Sequence, residues 1–450
     1  MKRTTEGSTL HENGVPIEAE KSDGGGLGAL PTIEPETSIT PRMDGGTEAW
    51  LAVLGSWILF FNTWGLSNSF GVFQTYYSTT ILRETSSSTI AWIGSIQTFL
   101  TMFTGVFSGW LVDSGRHRLV MFTGLVLEVF GMFMTSLGSK YWHFLLAQGI
   151  CVGLGSGLLA LTSLAILPLY FSKRRLLAGG IAATGSGLSG TLFPIMMRQL
   201  FVELGFGWAV RILAFLMLGT LTIAFIVIHP RRAVKSSGPL FRARWFKEPI
   251  YVTFVLAFTF IVAAIYVPCF FIEDYALGLG VDPDMAFYIL SILNAATTVC
   301  RLLPNWLADK YGALNLLIPC CFSTALCLYS WKATDSLGGL IGMSMGWSIA
   351  TGGLVSLAPL AIANLRSDTS ESGRRIGLGY TIASIGGLVG NPIAGAAKGK
   401  SLPPGSTGTS PVQDQFQGVW FVAAGAITIA TIFLLVSRFL SVGSRMRVKI

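Results

Sequence analysis

The stretch YFSKRRLLAGGIAATGSGLSGTLFP, residues 170–194, decides the fold. Lys173, Arg174 and Arg175 sit between two long apolar runs. Cations at this density do not lie in hydrocarbon, so they mark a membrane boundary. Behind them come Gly179, Ala182, Ala183, Gly185, Ser186, Gly187 and Gly190. Small residues of this kind let helix backbones approach closely inside a bilayer. The pattern returns 200 positions later as GRRIGLGYTIASIGGLVGNP, residues 373–392. There Arg374, Arg375, Ala383, Gly387, Leu388 and Gly390 match Arg174, Arg175, Ala183, Gly187, Leu188 and Gly190. A tight-packing helix repeated in each half of the chain points to a transporter built by duplication.

Composition agrees with that reading. Of 450 residues 51% are apolar and 12% charged. A soluble domain carries about twice that charge. The net charge of +8 is spread in short cation clusters between apolar runs, which fits membrane topology and not nucleic-acid binding. Cys151, Cys269, Cys300, Cys320, Cys321 and Cys327 fall within apolar runs and read as small hydrophobes. No cofactor or metal is expected, because no zinc spacing, phosphate loop or nucleophile elbow is present. An enzyme is not expected either. No cleavable signal is visible, since the first apolar run starts near Trp50.

In order, residues 1–43 read as a disordered polar tail. Residues 44–229 and 249–440 read as two six-helix bundles, joined by a basic linker at 230–248 and followed by a tail at 441–450. Together they supply twelve apolar spans, from Trp50–Phe73 to Val419–Leu440. Each is long enough to cross a hydrocarbon core of about 30 Å. The expected fold class is therefore an all-α membrane protein in two pseudo-symmetric halves. Cations concentrate on one side: Arg116 and Arg118, Lys173 to Arg175, Arg231, Arg232, Lys235, Lys310, Arg366, Arg374, Arg375, Arg445, Arg447 and Lys449. Glu273, Asp274, Asp282 and Asp284 lie on the other. The cation side is expected to be cytosolic, with both termini there, in a multi-pass plasma-membrane protein.

The loop GWLVDSGRHR carries Gly109, Asp113, Gly115, Arg116 and Arg118. It resembles the loop signature of the major facilitator superfamily, one residue shorter between the aspartate and the second glycine. Its counterpart NWLADKYGALN places Trp306, Leu307, Asp309 and Gly312 against Trp110, Leu111, Asp113 and Gly115. An aspartate at a helix end accepts hydrogen bonds from the start of a neighbouring helix and pairs with arginine, a latch that breaks in the other conformation. The gating set is thus Asp113, Arg116, Arg118, Asp309, Arg174 and Arg175; the bland alternative is a solvated turn. Residues 170–190 resemble the motif opening the fifth helix of the monocarboxylate porter family. Asp44, Gly45 and Gly46 before Trp50 resemble that family's other signature in degraded form. NAATTVCRLLPNWLADKYGALN is similar to its fungal branch.

Arg301 lies eight residues before Asp309, which at 1.5 Å per residue is roughly 12 Å into the membrane. It either faces an aqueous cavity and binds an anion or completes a structural ion pair. The porter resemblance implies that Arg301 binds the substrate carboxylate. It also places the family's coupling aspartate on Thr297 and its intramembrane lysine on Asn68, both neutral here. Trp64, one turn before Asn68, and Asn294 complete the expected substrate set. Glu128, mid-span in the third helix, is the candidate proton carrier or else a packing residue. Asn391–Pro392 is expected to break the eleventh span. The expected function is alternating-access transport of a small organic anion or carboxylate-bearing metabolite, with protons and membrane lipid as further partners and no nucleic acid. Efflux of a bulkier secondary metabolite and a nutrient-sensing receptor on the same fold are the alternatives.

Overall fold

The computed structural model describes residues 45–171, 173–229, 240, 242–365, 372–399 and 411–442. The tail 1–43, Asp44, the linker cations Arg231, Arg232 and Lys235, Arg366, and the tail cations Arg445, Arg447 and Lys449 lie outside the described residues.

Among the described residues all regular structure is helical, and twelve helices are long and apolar enough to cross a membrane. The first six are α1 (Thr47–Ile81), α2 (Thr89–Asp113), α3 (His117–Thr135), α4 (Tyr141–Leu169), α5 (Arg175–Glu203) and α6 (Gly205–Val227). The second six are α7 (Pro249–Gly278), α8 (Pro283–Tyr311), α9 (Ala313–Ala333), α10 (Leu337–Ile362), α11 (Ser372–Ala396) and α12 (Val412–Ser441). α1 outruns its hydropathy window. Its 35 residues make about 52 Å of helix against about 30 Å of hydrocarbon, so the polar segment from Gln74 onward continues beyond the lipid.

Two apolar cores form. One is drawn wholly from the first half, with Leu59, Phe73, Phe144, Met197 and Leu213. The other centres on Tyr251, Phe258, Leu317, Trp331 and Trp420, and takes in Phe60, Trp64 and Ala183 from the facing half. Val202, Val299 and Phe439 stand out from the surface at 85%, 71% and 64% exposure. Hydrocarbon, unlike water, imposes no cost on such residues.

The halves meet through α5 against α8 and α2 against α11. Glycine makes both contacts possible. A Cβ on Gly377 would run into the carbonyl of Gly105, and one on Gly187 into the Thr298 hydroxyl. The small residues of the two repeats are therefore the seams between the halves.

Proline sets two breaks that shape the interior. Pro304 cannot donate to the carbonyl of Cys300, and α8 is interrupted at Arg301. Pro268 does the same to Ala264, and α7 is interrupted at Tyr266. The break expected at Asn391–Pro392 does not occur: α11 runs unbroken through Pro392. Gly386 and Gly390 in the same stretch serve the packing against α7, since a Cβ on either would run into the Thr259 or Ala263 carbonyl.

Candidate substrate site and latches

The break in α8 delivers Arg301 to the interface with α5. The side chain is 4% exposed, and its Nη1 donates to the Ala183 carbonyl and the Ser186 hydroxyl. Its Nε has no partner. Among the described residues no carboxylate pairs with it, so the ion-pair alternative has no support in this conformation.

Arg301 lines a small pocket of about 30 Å³ together with Trp64, Asn68, Asn294 and Thr297, room for one or two waters. The structure thus brings together all five residues of the expected substrate set. Asn68 Nδ2 lies 3.5 Å from the Ser186 carbonyl, and Asn294 Nδ2 lies 3.4 Å from that of Gly190. Thr297 Oγ1 is hydrogen-bonded to Ser348 Oγ at 3.0 Å. Gly190 explains the assembly: a Cβ there would sit 3.2 Å from Asn68 Cβ and 3.3 Å from Asn294 Cγ. A second pocket shares Trp64, Ile265, Tyr266 and Val355, and adds Phe60, Phe258 and Tyr380. Trp64 bridges the two, its ring 6.3 Å from that of Tyr380.

Toward the end of the bundle that carries Asp282 and Asp284 lie two larger cavities of about 340 and 320 Å³. They share Asn68, Gly71, Thr75, Glu273 and Leu290. Asn68 therefore stands where these cavities meet the Arg301 pocket.

The opposite, basic end is sealed by two matching contacts. The Asp113 carboxylate accepts from the backbone N–H of Gly373 (3.1 Å) and Arg374 (2.9 Å), and Arg374 Nε lies 3.4 Å away. The Asp309 carboxylate accepts from Leu176 (3.1 Å) and Leu177 (2.9 Å). In each case the donors are the second and third residues of the described helix, α11 or α5. Free N–H groups and the positive dipole end favour a carboxylate there. Each aspartate is followed by a glycine in the left-handed region, Gly115 at φ 79° and Gly312 at φ 97°, which turns the chain into the next helix. Arg374 is fully buried, and the next residue, Arg375, is held 2.7 Å from Glu248 with its guanidinium 4.9 Å over Tyr251.

Other expected residues fall elsewhere. Arg116 and Arg118 are exposed, and it is Arg374 that faces Asp113. Arg174 and Arg175, by contrast, stand at the start of α5 directly before the Asp309 donors Leu176 and Leu177, with Arg175 half-buried and its charge opposite that of Asp309. Glu128 is fully buried between α3 and α4, accepting from Ser156 Oγ at 2.7 Å, and lines none of these cavities. The residues missed are Tyr266, Cys269 and Glu273 of α7. Their spacing of i, i+3 and i+7 is the signal, since it puts all three on one helix face.

The comparisons with known proteins agree with this geometry. A family model for the Major Facilitator Superfamily matches residues 49–391. An MFS-type transporter of Emericella nidulans (dbaD) is 40% identical, over 81% of this chain and 84% of its own. The aspyridones efflux protein of Emericella nidulans is 38% identical over 81% and 74%, and the agnestins efflux protein of Paecilomyces divaricatus 36% over 80% and 82%. Among solved structures the Escherichia coli fucose:proton symporter superposes with a TM-score of 0.65 at 16% identity, over 86% of this chain and 98% of its own. The human organic anion transporter TETRAN gives 0.64 at 14%, over 86% and 98%. Twelve spans, two aspartate latches and a family match over most of its length make this chain a multi-pass membrane transporter of the Major Facilitator Superfamily.

Proposed function

We propose that this transporter exports an acidic secondary metabolite larger than a simple monocarboxylate, with the acidic group held by Arg301. The observation that carries the reading is a buried guanidinium at membrane depth without a carboxylate partner. Such a charge is expensive in a bilayer, and a planar fork with an unsatisfied Nε is suited to a bidentate anion. The monocarboxylate-porter type of arginine is kept here, while that family's charged partners are replaced by Asn68 and Thr297. Two neutral polar groups suit a substrate with further uncharged oxygens. The cavities of about 340 and 320 Å³ give room for a bulky body. Relatives named as efflux proteins support the direction. The cation bias supports a cytosolic basic end.

The test is transport by protein reconstituted or expressed in inside-out vesicles. Aromatic carboxylic acids of increasing size are compared with their neutral amides and with short aliphatic acids. The reading expects saturable accumulation of the bulky acids and little of the amides. Preference for short acids would restore the simple monocarboxylate reading. Tight binding without accumulation would favour a receptor.

A further inference from the structure

Glu273 of α7 lines both larger cavities, facing Asn68, Gly71 and Thr75 of α1. Its helix face continues through Cys269 and Tyr266 into the wall of the Arg301 pocket, so carboxylate and guanidinium border one path. Glu273 is half-buried and makes no hydrogen bond or ion pair among the described residues.

The charged groups around it are all engaged. Asp274, next in the chain, lines one of the same cavities but is 3.4 Å from Lys398 beyond α11. Arg198 of α5 lines one of the same cavities, but it is paired with Asp284 and lies 4.9 Å over the Phe287 ring. Asp282 caps α8 by accepting from the N–H of Asp284 and Met285. On the α12 side, Asp414 is 3.9 Å from Lys332. From α1, Tyr76 adds only a phenol. Among the described residues Glu273 is the carboxylate of this mouth left without a hydrogen bond or ion pair.

Alternating access requires that this mouth close when the basic end opens. Closure by movement of the α1 segment around Gly71 and Thr75 onto α7, which line the cavities together, would remove water from Glu273. The space over Gly71 is empty here, with no atom within 4 Å of where a Cβ would stand. An ionised carboxylate is not tolerated dry and unpartnered. We propose that Glu273 takes up one proton from the water of this mouth before the mouth closes, which ties the return of the empty carrier to acidity on that side. The proton bonds to a carboxylate oxygen and is released to the same water when the mouth reopens. The inference rests on alternating access alone, not on the identity of the substrate.

The experiment is a spin-label distance measurement across the mouth, without substrate. Labels go at Thr80 and Leu277, both exposed near the ends of α1 and α7, in a transport-competent background with the native cysteines replaced. Between about pH 8 and about pH 5, the ratio of short to long distances in the wild type should rise toward tenfold per pH unit around the midpoint, as uptake of one proton demands. Glu273→Gln should give a ratio that ignores pH, and Glu273→Asp should keep the dependence. A wild type without pH dependence would overturn the proposal, and so would a Glu273→Gln protein that keeps the wild-type slope. The two populations themselves show whether each variant is folded.

Discussion

Arg301 concentrates the argument at the scale of one residue. A guanidinium in the middle of a membrane helix costs about 2.5–3.5 kcal/mol even on insertion scales. Two donor contacts, to Ala183 and Ser186, do not neutralise its charge. Thr297, one turn earlier on α8, is where a partner would stand, and it is hydrogen-bonded to Ser348 instead. Thr297→Asp should therefore install the missing partner. The new carboxylate would compete with an acidic substrate, weakening it by about tenfold or more at neutral pH, where a surplus of roughly 1.4 kcal/mol suffices. The loss should diminish as acid protonates the new group, because only the ionised form competes. Binding titrations across pH check this, and unchanged affinity at neutral pH would mean that the acid group sits elsewhere. The sequence exposed Arg301 because a lone cation in an apolar run is conspicuous. It did not expose Glu273, which stands near the end of its span beside Asp274 and reads as part of a solvated acidic loop. Only the structure separates the two acids: Glu273 lines both cavities, whereas Asp274 lines one and is held 3.4 Å from Lys398.

At the scale of elements, the seams depend on missing side chains. A Cβ on Gly377 would meet the backbone of Gly105, and backbone cannot swing aside as a side chain can. Gly377→Ala should thus force α11 away from α2 at the basic end, at a cost of about 1–3 kcal/mol to the sealed state. Gly219 has no atom within 4 Å of its Cβ position, so Gly219→Ala is the matched control and should change nothing. Accessibility of a cysteine placed at Val106, buried here with its Cα 3.0 Å from the Gly377 Cβ position, should rise in the first variant and not in the second. The repeat of small residues made these seams legible, since the same spacing recurs in α5 and α11. The helix breaks were less legible. Pro304 and Pro268 interrupt α8 and α7, while Pro392, Pro194, Pro319 and Pro359 lie within continuous helices. A proline removes one hydrogen bond wherever it stands, and whether the helix bends or breaks depends on the room its neighbours leave.

For the whole molecule, two aspartate contacts tie the halves together at the basic end, Asp113 to α11 and Asp309 to α5. Both aspartates were legible from the loop repeat, and so was the start of α5 through Arg174 and Arg175, but the partners of Asp113 were not. Arg116 and Arg118 lie beside Asp113 in sequence, whereas the bonds come from Gly373 and Arg374 of the other half. Asp113→Asn keeps an acceptor and loses the charge. It should shift the balance toward a basic end that is open by about 1.5–3 kcal/mol, the range of a hydrogen bond to a charged group. Transport should slow, while affinity measured for the sealed state stays in the same range. Loss of all binding in folded protein would contradict the latch. The claim on which function depends is that this sealed arrangement presents Arg301 to an anion. It is tested most directly by equilibrium binding of one bulky aromatic acid and its neutral amide to purified wild type and Arg301→Met. The account predicts that the wild type prefers the acid by about a hundredfold, the range of a charge-assisted bidentate contact, and that Arg301→Met binds acid and amide alike. An acid preference that survives unchanged in folded Arg301→Met would contradict it.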